Sequence, residues 1–222
     1  MPVNSMMESH ETAGGRSFER LAALSGVTVG GIGVGYSIAF VLFLHNSSRG
    51  AAYANATLLL AGGLLTPSVF VAVYQRIRET DPGLALWGLV FALVGSFGAA
   101  MHGGYDLANL ANPPAALASD VPNAVDPRGL ATFGLTAVGV AVAGLLIVRG
   151  RRLPVGLGYL ALVSAALLVF VYIGRLVILN PKSPGLLAGA VLVGFVVNPI
   201  FFVWLGLVLL GVRRFEPAPQ GS

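Results

Sequence analysis

Cysteine is absent from the chain, which excludes disulfides, thiolate metal sites, iron–sulfur ligation and thiol redox chemistry. Lysine is nearly absent too. Lys182 is the only one, so the basic charge is carried by arginine. Charge of either sign is scarce: 10% of residues are charged, against about 25% in a soluble globular chain. That deficit argues for lipid as the solvent. The formal net charge of +4 is small and sits in short connections, so it is topology information rather than a nucleic-acid footprint. No apolar stretch alternates with a period of two, so a membrane β-barrel is not expected.

What the chain has in quantity is apolar length. It is 56% hydrophobic over 222 residues, and a membrane helix needs about 20 mostly apolar residues. Six stretches qualify: 21–44, 53–75, 83–104, 129–149, 154–179 and 186–212. Unpaired backbone is intolerable in lipid, so each must be helical. The expected fold is therefore an all-α membrane protein, a bundle of six transmembrane helices. Residues 1–18 are expected as a disordered N-terminal tail, and residues 215–222 as a flexible C-terminal one.

Local punctuation agrees with these limits. In "ETDPG" (79–83), Pro82 suits a first helical turn, and in "AVDPRG" (124–129), Asp126 suits an N-cap with Pro127 behind it. Arg16, Arg20, Arg76, Arg78, Arg149, Arg151, Arg152, Arg213 and Arg214 fall on one side of the expected membrane. Arg49, Arg128 and Lys182 fall on the other. The positive-inside rule then places both termini in the cytoplasm. The first segment is read as a span and not a cleaved signal, because its apolar run far exceeds the roughly 7–15 residues of a signal core.

Packing signals lie within the spans. Gly26/Gly30 and Gly31/Gly35 have the GxxxG spacing that lets helix backbones approach closely, within one bundle or across a homo-oligomer seam. Thr66-Pro67 and Asn198-Pro199 sit mid-span. Each proline removes a backbone donor, and Thr66 and Asn198 are expected to cover the carbonyls so freed.

Polar side chains gather at the outer end. His102 and Asp106 are four apart and share a helix face if the helix continues through Gly103-Gly104, a pair that reads as a helix end or bend. Tyr105, Arg128, Tyr172 and Arg175 are placed at the same end, and Asn198 deeper. These seven are the candidate ligand-binding residues. Arg175 stands within an apolar segment, where a charge needs a reason: snorkelling to lipid phosphates, an ion pair with Asp106 or Asp126, or a ligand. His45, His102 and Asp106 are metal-compatible donors, but they form no tight ligand motif. No nucleophile elbow or paired-histidine helix is present, so no catalytic residue and no cofactor is assigned. The proline-rich connection 105–128 is long for a bundle and reads either as a cap over the outer mouth or as a plain link.

The stretch "RLPVGLGYLALVSAALLVFVYIGRLV" (152–177), a turn, and "NPIFFVWLGLVLL" (198–210) resemble uncharacterised six-helix bacterial membrane proteins of the domain-of-unknown-function type. The resemblance implies a multi-pass protein of a bacterial plasma membrane and brings no functional residues. The leading functional expectation is a non-enzymatic membrane protein. It would have an outer-facing polar pocket for a small solute or lipid headgroup, or serve as an accessory subunit. Its partners would be membrane lipids, other membrane subunits or a second copy, not nucleic acid. The alternatives are a solute transporter built on the proline-kinked helices two and six, and a membrane hydrolase or metal site using His102 and Asp106.

Overall fold

A computed structural model describes residues 3–46, 48–113, 129–178 and 183–211. Those residues contain no strand and form six long helices. In chain order these are α1 (Val3–Asn46), α2 (Arg49–Ile77), α3 (Pro82–Ala111), α4 (Leu130–Gly150), α5 (Val155–Ile178) and α6 (Pro184–Leu209). All six hold a stretch long and apolar enough to cross a membrane. That is the build of a multi-pass membrane protein.

The helix starts follow from local chemistry. Ser48 caps α2 by accepting from the Ala51 N–H at 3.3 Å, and Asp81 caps α3 by accepting from Leu84 N–H at 3.0 Å. Pro82 occupies the first turn of α3, where its missing N–H is no loss. Asp126 and Pro127 lie outside the described residues. α1 reaches back to Val3, so most of the expected tail is helical backbone. Extending an already nucleated helix is far cheaper than starting one.

Each helix packs on its chain neighbours, and α6 closes back onto α1, giving a ring of six. Small residues set its tightness. A Cβ at Gly26 would lie 3.1 Å from the Phe202 carbonyl oxygen, and one at Gly206 would lie 2.7 Å from the Ala23 oxygen. Gly26 and Gly30 therefore serve the α1–α6 seam inside the bundle. Gly31, by contrast, faces open space. Inside the ring, Phe201, Leu205, Leu146, Ile147, Leu157, Val69 and Val73 are almost wholly buried.

The outer surface is apolar. Trp87, Val90, Val94, Phe97 and Met101 form one exposed face of α3, and Tyr159, Val163 and Ile173 do the same on α5. Water would not tolerate so continuous a patch. Two ion pairs tie down one end of the ring: Arg76 with Glu19, joining α2 to α1, and Arg152 with Glu79 at 2.6 Å. We call this the arginine-rich end. The opposite end holds the C-terminal part of α3 and the first turns of α4.

Candidate functional site

At that opposite end α3 does not stop at Gly103-Gly104. It runs unbroken to Ala111, which corrects the expectation of a helix end or bend. The glycines answer a packing need. A Cβ at Gly103 would lie 2.5 Å from both the Ala56 oxygen and the Leu60 nitrogen of α2. The extended end is held by α2: Tyr53 donates its hydroxyl hydrogen to the Leu110 carbonyl at 2.7 Å, and Arg49 donates to the same oxygen at 3.2 Å. Carbonyls in the last turn have no partner within their helix, so these contacts cap α3 from the side.

Because α3 continues, His102 and Asp106 do share a face. His102 Nε2 lies 3.4 Å from Asp106 Oδ2, and His102 Nδ1 lies 3.4 Å from the Thr132 hydroxyl on α4. A carboxylate opposite Nε2 selects the tautomer with the proton there. Nδ1 is then an acceptor for the Thr132 O–H. The His102 side chain is 15% exposed and that of Asp106 37%, so the chain of contacts runs from the bundle interior outward.

Thr132 reaches His102 by virtue of a wide turn. Residues Leu130–Leu135 of α4 are π-helical, with Thr132 the buried member. The turn rests on Gly98 of α3, where a Cβ would come within 2.6 Å of the Ala131 methyl. π-helical turns are rare and concentrate at functional positions. Hydroxyl, imidazole and carboxylate in this order could in principle activate a nucleophile. At 3.4 Å, however, the contacts position the groups more than they polarise them.

The other expected site residues are scattered. Tyr105 stands beside Asp106 on α3 and is 55% exposed. Tyr172 packs its ring against Gly134 in the α4 π-turn, 3.5 Å from where a Cβ would be. It thus borders the cluster. Arg128 and the Arg175 side chain lie outside the described residues, as does most of the 105–128 connection. His45, exposed at the end of α1, joins no metal-binding group, and among the described residues none of three or more His, Cys, Asp or Glu exists.

Asn198 belongs elsewhere. Its Oδ1 accepts from Ser164 of α5 at 2.5 Å, and Ser164 is 1% exposed. That bond uses the amide oxygen and does not engage the NH2 group, the part of Asn198 able to donate to a carbonyl. Thr66 misses the carbonyl that Pro67 frees, on Gly63, contrary to expectation. It donates instead to Gly62 at 2.7 Å. The two proline-bearing helices flank α1 on opposite sides, α6 packing mainly against it and α2 against both α1 and α3. Thr66 and Asn198 thus do not meet across one path. An apolar groove between α2, α3 and α4, lined by Phe70, Tyr74, Leu89 and Val142, lies toward the arginine-rich end and offers no cluster of polar groups.

Family models, curated proteins and solved structures contain no match to this chain.

Proposed function

We propose that the protein is a multi-pass protein of a bacterial plasma membrane with both termini in the cytoplasm. In this reading its His102 end binds a small polar ligand, a solute or a lipid headgroup, through His102, Tyr105, Asp106 and Thr132. The protein acts alone or as a subunit of a membrane assembly. The observation that carries the reading is the clasp on His102: an imidazole held by α3 and α4 at once, 15% exposed, where the apolar surface gives out. From Asp81 to His102 is about 30 Å of helix at 1.5 Å per residue, which is the thickness of a bilayer's hydrocarbon core. The cluster then falls at headgroup depth, where a polar ligand is available and the cost of burying polar groups is least.

The test is thermal unfolding of the purified protein in detergent against short-chain phospholipids and their free headgroups, phosphocholine, phosphoethanolamine and glycerol phosphate. At least one should raise the melting temperature in a saturable way, and His102→Ala and Asp106→Asn should remove that rise. A response to free headgroups assigns a soluble ligand, and a response to intact lipid alone assigns the membrane. No response to any of them, or one that survives both substitutions, rejects the site.

A further inference from the structure

Among the described residues one non-glycine backbone is left-handed: Arg151, with φ 51° and ψ 25°, at the end of α4. A residue with a Cβ enters this region at a cost that glycine does not bear. Gly150 stands directly before it, so a helix one residue shorter would put glycine in the left-handed turn. Gly150 is committed elsewhere. It is where the α4–α5 turn rests on the α2–α3 turn. A Cβ on it would overlap the Thr80 hydroxyl and lie 3.0 Å from Thr80 Cβ. The left-handed residue is therefore position 151. Nothing in the packing asks for an arginine there, and a second glycine would make the turn without strain.

The same contact gathers cations. Arg149 and Arg151 flank Gly150, and Arg78 lies two residues before Thr80. All three are exposed. The neighbouring acids are already used. Glu79 pairs with Arg152 at 2.6 Å, a second tie between the two turns, and the Asp81 carboxylate accepts from the Leu84 N–H. Among the described residues, Arg78, Arg149 and Arg151 have no ion-pair or hydrogen-bond partner for their side chains. The positive-inside bias would be met by arginines anywhere at this end. Here three unpaired guanidinium groups surround one backbone contact. Apolar side chains stand exposed one turn deeper: Leu145 before Arg149 on α4, and Leu86 and Trp87 after Pro82 on α3. An exposed indole at that depth is the mark of a lipid interface. Guanidinium groups take phosphate oxygens two at a time. Free ones above an apolar surface match a phosphate that carries acyl chains.

We propose that the joined α2–α3 and α4–α5 turns are a docking site for an anionic phospholipid. Arg78, Arg149 and Arg151 bind its phosphate, and its chains lie on the apolar surface beneath them. The strain at Arg151 is kept for that contact. The site shares with the reading above only the membrane itself. It stands at the opposite end of the bundle from His102, so the two fail separately.

The experiment is thermal unfolding of the full chain in a non-ionic detergent with added phosphatidylglycerol, phosphatidylcholine or inorganic phosphate. The series is run on the parent and on His102→Ala, which silences the other end. In both, phosphatidylglycerol should raise the melting temperature saturably, by several degrees more than phosphatidylcholine or free phosphate. Arg151→Gly separates strain from charge. In detergent alone it should melt at or above the parent, yet it should lose half or more of the phosphatidylglycerol response. Adding Arg78→Gln and Arg149→Gln should remove the rest. Arg20→Gln deletes an exposed charge at the same end, on α1, and should keep the response. Equal responses of His102→Ala to the two lipids, or to lipid and free phosphate, overturn the proposal. So does a response that Arg151→Gly retains in full, or one that Arg20→Gln lowers as much as Arg151→Gly does.

Discussion

Gly103 and Gly104 are adjacent in one helix, yet the same substitution should act on them with opposite sign. A Cβ at Gly103 meets the Ala56 oxygen and the Leu60 nitrogen of α2 at 2.5 Å. Both are backbone atoms, so no rotamer change can relieve the overlap and α2 must move away from α3. Overpacking of this kind costs about 1–3 kcal/mol. An opened gap of 0.5–1 Å would also forfeit a quarter to a half of the dispersion energy along the seam. A Cβ at Gly104 meets nothing closer than Leu60 Cδ1 at 4.0 Å. There, Gly→Ala keeps only the helix-propensity gain, up to about 1 kcal/mol. The propensity gain is common to both positions, so the two variants should differ by the overpacking cost, about 1–3 kcal/mol, with Gly103→Ala below the parent and Gly104→Ala at or above it. At roughly 2–4 °C per kcal/mol for a chain of this length, the melting temperatures in detergent should lie about 2–12 °C apart. Equal shifts would refute the close α2–α3 approach. If both variants lost helix stability equally, the pair would be a hinge after all.

Tyr53 and Arg49 share one acceptor, the Leu110 carbonyl, so either can satisfy it alone. Tyr53→Phe should cost about 0.5–1.5 kcal/mol, and the double variant with Arg49→Ala should cost more than the sum of the two single ones. Additive losses in chemical denaturation would show that the two donors do not back each other up. The absence of cysteine allows single thiol reporters without background. If both termini are cytoplasmic, as proposed, Ser48→Cys should react with an impermeant maleimide on intact cells, and Ser17→Cys only after permeabilisation. The reverse pattern would invert the topology.

The six spans were legible because lipid imposes a single solution on a long apolar run: a helix with every backbone group paired. Caps such as Ser48 and Asp81 are equally local, since donor and acceptor lie within one turn. Thr132 was not legible. In the sequence it is one hydroxyl inside an apolar segment. Only the π-helical turn of α4 and the close seat on Gly98 carry it to His102. The spacing of Gly95, Gly98 and Gly103 on α3 was the available hint, because glycines marking close approaches also mark where a neighbour's polar atoms come within reach.

The two adjacent glycines were misread for a related reason. In water, Gly-Gly weakens a helix because the unfolded backbone is solvated and gains entropy. Near the membrane a broken helix gains less from water, and here α3 continues, with Gly103 marking a close approach to α2 and Gly104 only a loose one. The same change of reference state explains Asn198. Sequence reasoning located the break at Pro199 correctly and then paired Asn198 with the nearest freed carbonyl along the chain. Inside a ring of helices the competition is decided laterally. Ser164, 1% exposed and presenting an O–H that must be satisfied, holds the Asn198 carbonyl oxygen at 2.5 Å. The amide oxygen of Asn198 thus answers a buried donor on the next helix, a partner that order along the chain does not reveal.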